Sequence, residues 1–162
     1  MTRRKPQRSR SPTYSVLRVL MASPTDPMPE PFRLHQLTSM YQGLAALEQG
    51  QQPTTDDWRV CSDAVNLMET LIVQGQVVDA DGLLLDAITA MANAGKRNMA
   101  GGQIRLDGPG IKAVRAILAD YSAVLAALPE RTMVQCHRDT ERRLREIMSG
   151  KRRPHDVEVI TL

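Results

Sequence analysis

Apolar residues recur at helical spacing in successive stretches of this chain, and each stretch predicts an amphipathic helix with one face to bury. In the first, Leu34, Leu37, Tyr41, Leu44 and Leu47 place a helix over about 32–49, with Gly50 as its left-handed terminator. In the second, Trp58, Cys61, Val65, Met68 and Ile72 form the stripe, up to Gly75. That helix starts at Thr54 or Thr55, where a hydroxyl can cap free amides and where Asp56 and Asp57 meet the positive end of the helix dipole. A third helix is expected over 79–94, with Leu84, Ile88 and Met91 inward and Gly95 as its stop.

The last apolar seam is the longest. Ile111, Val114, Leu118, Tyr121, Leu125 and Leu128 follow a three-four spacing, and after Pro129 the seam resumes at Met133, Cys136, Thr140, Leu144 and Ile147. The five-residue step across Pro129 marks a kink or a break, because proline cannot donate to the preceding turn. Between the third helix and this seam lies a Gly-rich link, 95–110, whose Gln103-Ile104-Arg105-Leu106 alternation supports at most one short strand or an extended link.

These patterns predict an all-α fold: a compact bundle of about four to five helices, with the Gly-rich link preceding a long, Pro-interrupted C-terminal helical region. Three regions follow. Residues 1–31 hold Pro6, Pro12, Pro24, Pro27, Pro29 and Pro31 and read as a basic, extended or disordered arm; 32–150 is the helical domain; 151–162 is a basic tail.

Charge changes the picture more than composition does. The formal net charge of +3 hides a segregation: residues 1–18 carry six cations and no acid, residues 19–130 carry a net −6, and residues 131–162 a net +3. Two basic ends therefore flank an acidic body. No apolar run approaches the roughly 18 residues that a membrane span needs, and Val16 to Ala22 is too short and is interrupted by Arg18. The expected location is the cytoplasm, with no membrane partner. Cys61 and Cys136 belong to no CxxC or Cys/His cluster, so buried thiols are expected, with neither a disulfide framework nor a zinc site.

The search for chemistry predicts no enzyme, no cofactor and no metal. Gly95-Lys96 lacks the upstream glycine and the following Ser or Thr of a phosphate loop, since Arg97 comes next. Asp79, Asp81 and Asp86 lack the glycine and terminal glutamate of a calcium loop and read as helix-start carboxylates. His35, His137 and His155 are dispersed. Binding is the remaining possibility, and the basic segments are its candidates: Arg3, Arg4, Lys5, Arg8 and Arg10 in the arm, Arg138, Arg142 and Arg145 on one side of the last helix with Arg131 and Arg143 flanking, and Lys151, Arg152 and Arg153 in the tail. Met99, in Gly-rich surroundings, is a candidate exposed apolar contact.

The order of features, above all Arg3-Arg4-Lys5-Pro6, Gly43-Leu44-Ala45-Ala46-Leu47, Asp57-Trp58, Asn66-Leu67-Met68-Glu69 and the Gly102 to Leu106 link, resembles small uncharacterised prophage and mobile-element proteins of proteobacteria. The resemblance implies accessory phage or mobile-element biology in a bacterial host and transfers no catalytic signature. Two functions are carried forward. The first is a non-enzymatic accessory protein that binds another protein, as inhibitor or modulator of a host complex such as a defence system, and is compatible with a homodimer through the C-terminal seam. The alternative is a nucleic-acid-associated accessory or regulatory protein that uses the basic arm and the last helix. The acidic body and the scarcity of aromatics favour the first.

Overall fold

The computed structural model describes residues 13–49 and 52–150, and all of its regular structure is helical: α1 Val16–Met21, α2 Glu30–Gln49, α3 Thr55–Val73, α4 Leu84–Met99, α5 Gly108–Ala127 and α6 Glu130–Met148. The Gly50 terminator and the tail lie outside the described residues, as do residues 1–12 of the arm. Ten residues of α3 are buried, among them Trp58, Cys61, Val65, Met68 and Leu71. A helix with so much of its surface buried, including Ser62, Asn66 and Thr70, belongs at the centre. Accordingly α3 packs against α2, α4, α5 and α6, while α2 also meets α5, α4 meets α5, and α1 rests on α6.

Local chemistry fixes the ends. Thr54 caps α3 by accepting the Asp57 amide at 3.2 Å, while Asp57 accepts the Thr54 amide at 2.8 Å, a reciprocal capping box. The helix closes at Gly75, whose φ of +69° suits glycine, with the Gln76 amide donating to the Leu71 carbonyl at 2.9 Å. Asp107 caps α5 by accepting the Gly110 amide at 2.8 Å, ahead of Pro109 in the first turn.

Three expectations change against this architecture. The third helix begins at Leu84, and Asp79 stands outside it, accepting the Leu83 and Leu84 amides at 3.1 Å each. It also runs through Gly95 to Met99, because Gly95 is a buried helical residue packed on the Trp58 ring; the left-handed glycine is Gly101. Of the two readings of the 103–106 link, it takes the extended one: Ile104 and Leu106 are buried as the alternation implies, and among the described residues no strand lies beside them. On α2 the buried positions are Met40, Gly43, Leu44 and Leu47, which leaves Leu34 and Tyr41 exposed and Leu37 half-buried.

Residues 13–31, read as part of an extended arm, fold. They contain α1 and a turn in which Ala22 and Met28 are buried. That turn docks on the break between α5 and α6, where Leu128 and Pro129 adopt extended backbone: Pro27 bridges to Pro129, the Glu130 amide donates to the Asp26 carbonyl at 2.7 Å, and the Arg131 amide donates to Ser23 at 2.9 Å. The prolines that forbid a long helix here still permit a packed turn. The C-terminal seam is thus two helices, and the free amides that open α6 are paired with the N-terminal segment.

Candidate partner-binding groove

α1 is a six-residue helix whose Ser15 cap accepts the Arg18 amide at 3.1 Å. None of its residues is buried. Helices this short are marginal alone, so neighbours must hold it. The tethers come from α6 and are mostly polar. Arg18 pairs with Glu130, which is 7 % exposed and also accepts the Ser23 amide at 2.9 Å. The Arg131 guanidinium donates to the Ala22 and Leu20 carbonyls at 3.2 and 3.3 Å. At the other end Arg138 donates to the Tyr14 carbonyl, and the Thr13 amide donates to both Glu141 carboxylate oxygens at 3.0 and 3.1 Å. The pairs Tyr14 with Arg138 and Leu20 with Arg131 set α1 antiparallel to α6.

Tyr14 also meets the His137 ring edge-on, with centroids 5.3 Å apart. Burial dominates both groups: it lowers the His137 pKa to about 4 and raises that of Tyr14. His137 is therefore a neutral packing residue at neutral pH.

Between α1 and α6 runs a groove of about 290 Å³, walled by Val16, Val19 and Leu20 on one side and by Gln135, Arg138, Asp139, Arg142 and Arg145 on the other, three arginines against one aspartate for a net charge of +2. A second hollow of about 390 Å³ meets it at Val19 and Gln135 and continues past Pro24 to Arg131. The rim is apolar: Val16, Leu17, Leu20 and Met21 are 61–73 % exposed. Their i, i+1, i+4, i+5 spacing makes them one outward stripe.

The six sequence candidates of the described body divide. Arg138, Arg142 and Arg145 come together on the groove wall. Arg142 pairs with Asp139 at 2.8 Å, and Arg145 reaches Glu141 at 3.6 Å. Arg131 does flank them. Arg143 does not: it turns into the α3–α6 packing, pairs with Glu69 at 2.6 Å and is mostly buried, because position 143 falls on the side of α6 that faces α3. Met99 is 64 % exposed at the end of α4, a helix that packs on α3 and α5, and it lies outside the groove. Arg3, Arg4, Lys5, Arg8, Arg10, Lys151, Arg152 and Arg153 lie outside the described residues. Thr13, where residues 1–12 join the body, is held on Glu141, seven residues or roughly 10 Å before the last residue of α6, Met148.

Val16, Leu17, Val19, Leu20 and Met21 are the site residues that sequence reasoning passed over. Their one-sided spacing was the available signal. What the arrangement offers is recognition: an apolar wall to exclude water and guanidinium donors for carboxylate or phosphate. No family model, curated protein or solved structure matches this chain.

Proposed function

We propose that this protein is a non-enzymatic accessory protein of a prophage or related mobile element, which acts in the cytoplasm of its bacterial host by binding another protein and modulating the complex to which that partner belongs, a defence system being the concrete case. The observation that carries this reading is α1: four large apolar side chains, Val16, Leu17, Leu20 and Met21, stand 61–73 % exposed on a helix with no buried residue, beside a groove. Contiguous exposed apolar surface rimmed by charge marks an interaction face. The arginines of α6 then steer encounter, while the apolar ridge slows dissociation. The test is recovery of host proteins by the wild-type chain and by a Leu17→Glu/Leu20→Glu variant whose helicity and melting are unchanged. Loss of a specific partner with the variant is expected; equal recovery by both overturns the reading.

A second reading is favoured by one observation. Arg142 and Arg145 stand 67 % and 49 % exposed on the C-terminal half of α6, in a chain whose first 18 residues carry six cations and no acid and whose residues 151–153 are all basic. A nucleic-acid function requires binding to duplex or single strands that weakens steeply with salt and disappears when Arg3, Arg4, Lys5, Arg8 and Arg10 are neutralised together.

A further inference from the structure

We infer that the occupant of the α1–α6 groove is an acidic amphipathic helix of the partner, which sets its apolar row against Val16, Val19 and Leu20 and directs carboxylates to Arg131, Arg138, Arg142 and Arg145. The inference rests on the protein-binding reading and adds the partner's chemistry. Three features lead to it. The two hollows meet at Val19 and Gln135 and together follow α6 from Arg145 to Arg131. That track of 15 residues is roughly 21 Å long, the length of a four-turn helix. Its wall is apolar at Val16, Val19 and Leu20, where a row at i, i+4, i+7 can seat.

The third feature is charge. Arg131 and Arg138 spend their hydrogen bonds on the carbonyls of Leu20, Ala22 and Tyr14, and among the described residues neither forms an ion pair. A carbonyl orients a guanidinium without neutralising it, so the Arg131 end and the middle of the track keep positive charge. Arg145 holds Glu141 only at 3.6 Å with half its side chain in solvent, and Arg142 is 67 % exposed while pairing with Asp139. These two are free to exchange partners at small cost. A second copy of this chain fits less well, since an isologous contact would set the arginine wall near its own symmetry mate. A polyanion fits less well too. Phosphates gain nothing from an apolar wall, and the groove lining contains no aromatic on which a base could stack.

The experiment is selection from a displayed library of 14-residue helices with Leu at i, i+4, i+7 and i+11 and with Glu or Lys varied at the flanking positions. Selection by the wild-type chain is expected to enrich Glu over Lys by at least about tenfold, several exposed ion pairs each contributing a few-fold. The Arg142→Glu/Arg145→Glu variant should enrich Lys at the positions nearest that end of α6. Val16→Glu/Leu20→Glu should select nothing, and Leu34→Glu, on the exposed side of α2, should select as the wild type does. Enrichment of helices without a charge preference overturns the acidic partner and leaves the protein-binding reading standing. Selection undisturbed by Val16→Glu/Leu20→Glu overturns the groove as the seat. Failure to select any helix, together with salt-sensitive nucleic-acid binding, overturns both.

Discussion

Gly95 of α4 lies against the six-membered ring of Trp58 in α3, and the Trp58 indole N–H donates to the carbonyl of Met91, one turn before that glycine, at 2.9 Å. The hydrogen bond pins the ring, and the missing Cβ makes room for it. A Cβ at Gly95 would stand 3.0 Å from Trp58 Cζ2. Gly43 is tighter still, with its Cβ position 2.7 Å from both the Asp57 carbonyl oxygen and Val60 Cγ2.

The two glycines therefore differ in what they forbid. Gly43→Ala presses on α3 backbone, which cannot rotate away, and should lower stability by about 1–3 kcal/mol. Both glycines lie within helices, so alanine gains roughly 1 kcal/mol at each. Gly95→Ala meets a side-chain ring at 3.0 Å where Gly43→Ala meets backbone at 2.7 Å, so the loss at Gly95 should be smaller. Urea denaturation of the two variants checks the order; a Gly43→Ala protein as stable as wild type would show that α2 and α3 are not packed at this separation.

Both thiols should be inert in the folded protein. Burial pushes Cys61 and Cys136 up to about 12, and their Sγ atoms face the Met40 and Leu67 carbonyls at 3.6 and 3.5 Å. An aromatic disulfide reagent at pH 8 should find neither thiol in buffer and both in denaturant. Fast labelling in buffer would contradict the packing of α3 on α2 and on α6.

The His137 contribution to stability should fall as the solution is acidified below about pH 6.5, whereas Asp63, whose carboxyl burial pushes up to about 6, acts in the opposite sense. The folded pKa of His137 is lowered to about 4 from 6.5, so between these values the unfolded chain binds a proton that the folded chain refuses. The contribution is fully present above pH 6.5 and fully lost below about pH 4, with a size on the order of 2 kcal/mol. Denaturation midpoints of wild type and His137→Gln, compared at pH 7 and pH 4.5, should diverge in their pH dependence. Parallel curves would mean that His137 is reached by water.

Much of the helical layout was legible because its causes are local. The Thr54 and Asp57 capping pair sits three residues apart, and the α3 stripe is too regular to be anything else. The end of α4 was not legible. A glycine after an apolar stripe is usually a left-handed stop, and only the Trp58 ring, 37 residues earlier, makes Gly95 a packing residue within the helix. The phase of α2 was hidden for a similar reason: Leu34, Leu37 and Tyr41 are spaced as well as Met40, Gly43 and Leu47, and the close approach at Gly43 selects the second set. Of the groove, the arginine wall could be read from the 138, 142, 145 spacing. The apolar wall had only the one-sided spacing of residues 16, 17, 20 and 21 to announce it. Its position was not legible, because prolines surround α1 and its place is set by residues of α6 far along the chain.

That last relationship has a bearing on how the molecule is made. The residues that seat α1, Glu130, Arg131, Arg138 and Glu141, lie 107 to 128 positions away from the groups they hold. On a ribosome these residues emerge after everything between them, so α1 and its apolar stripe have no seat while the α2 to α5 core is already forming. Closing so long a loop is the slowest kind of native contact, since chain entropy must be surrendered before the contact repays it. The groove is therefore the last part of the protein to exist: the surface that would meet a partner is assembled only once the chain has come full circle.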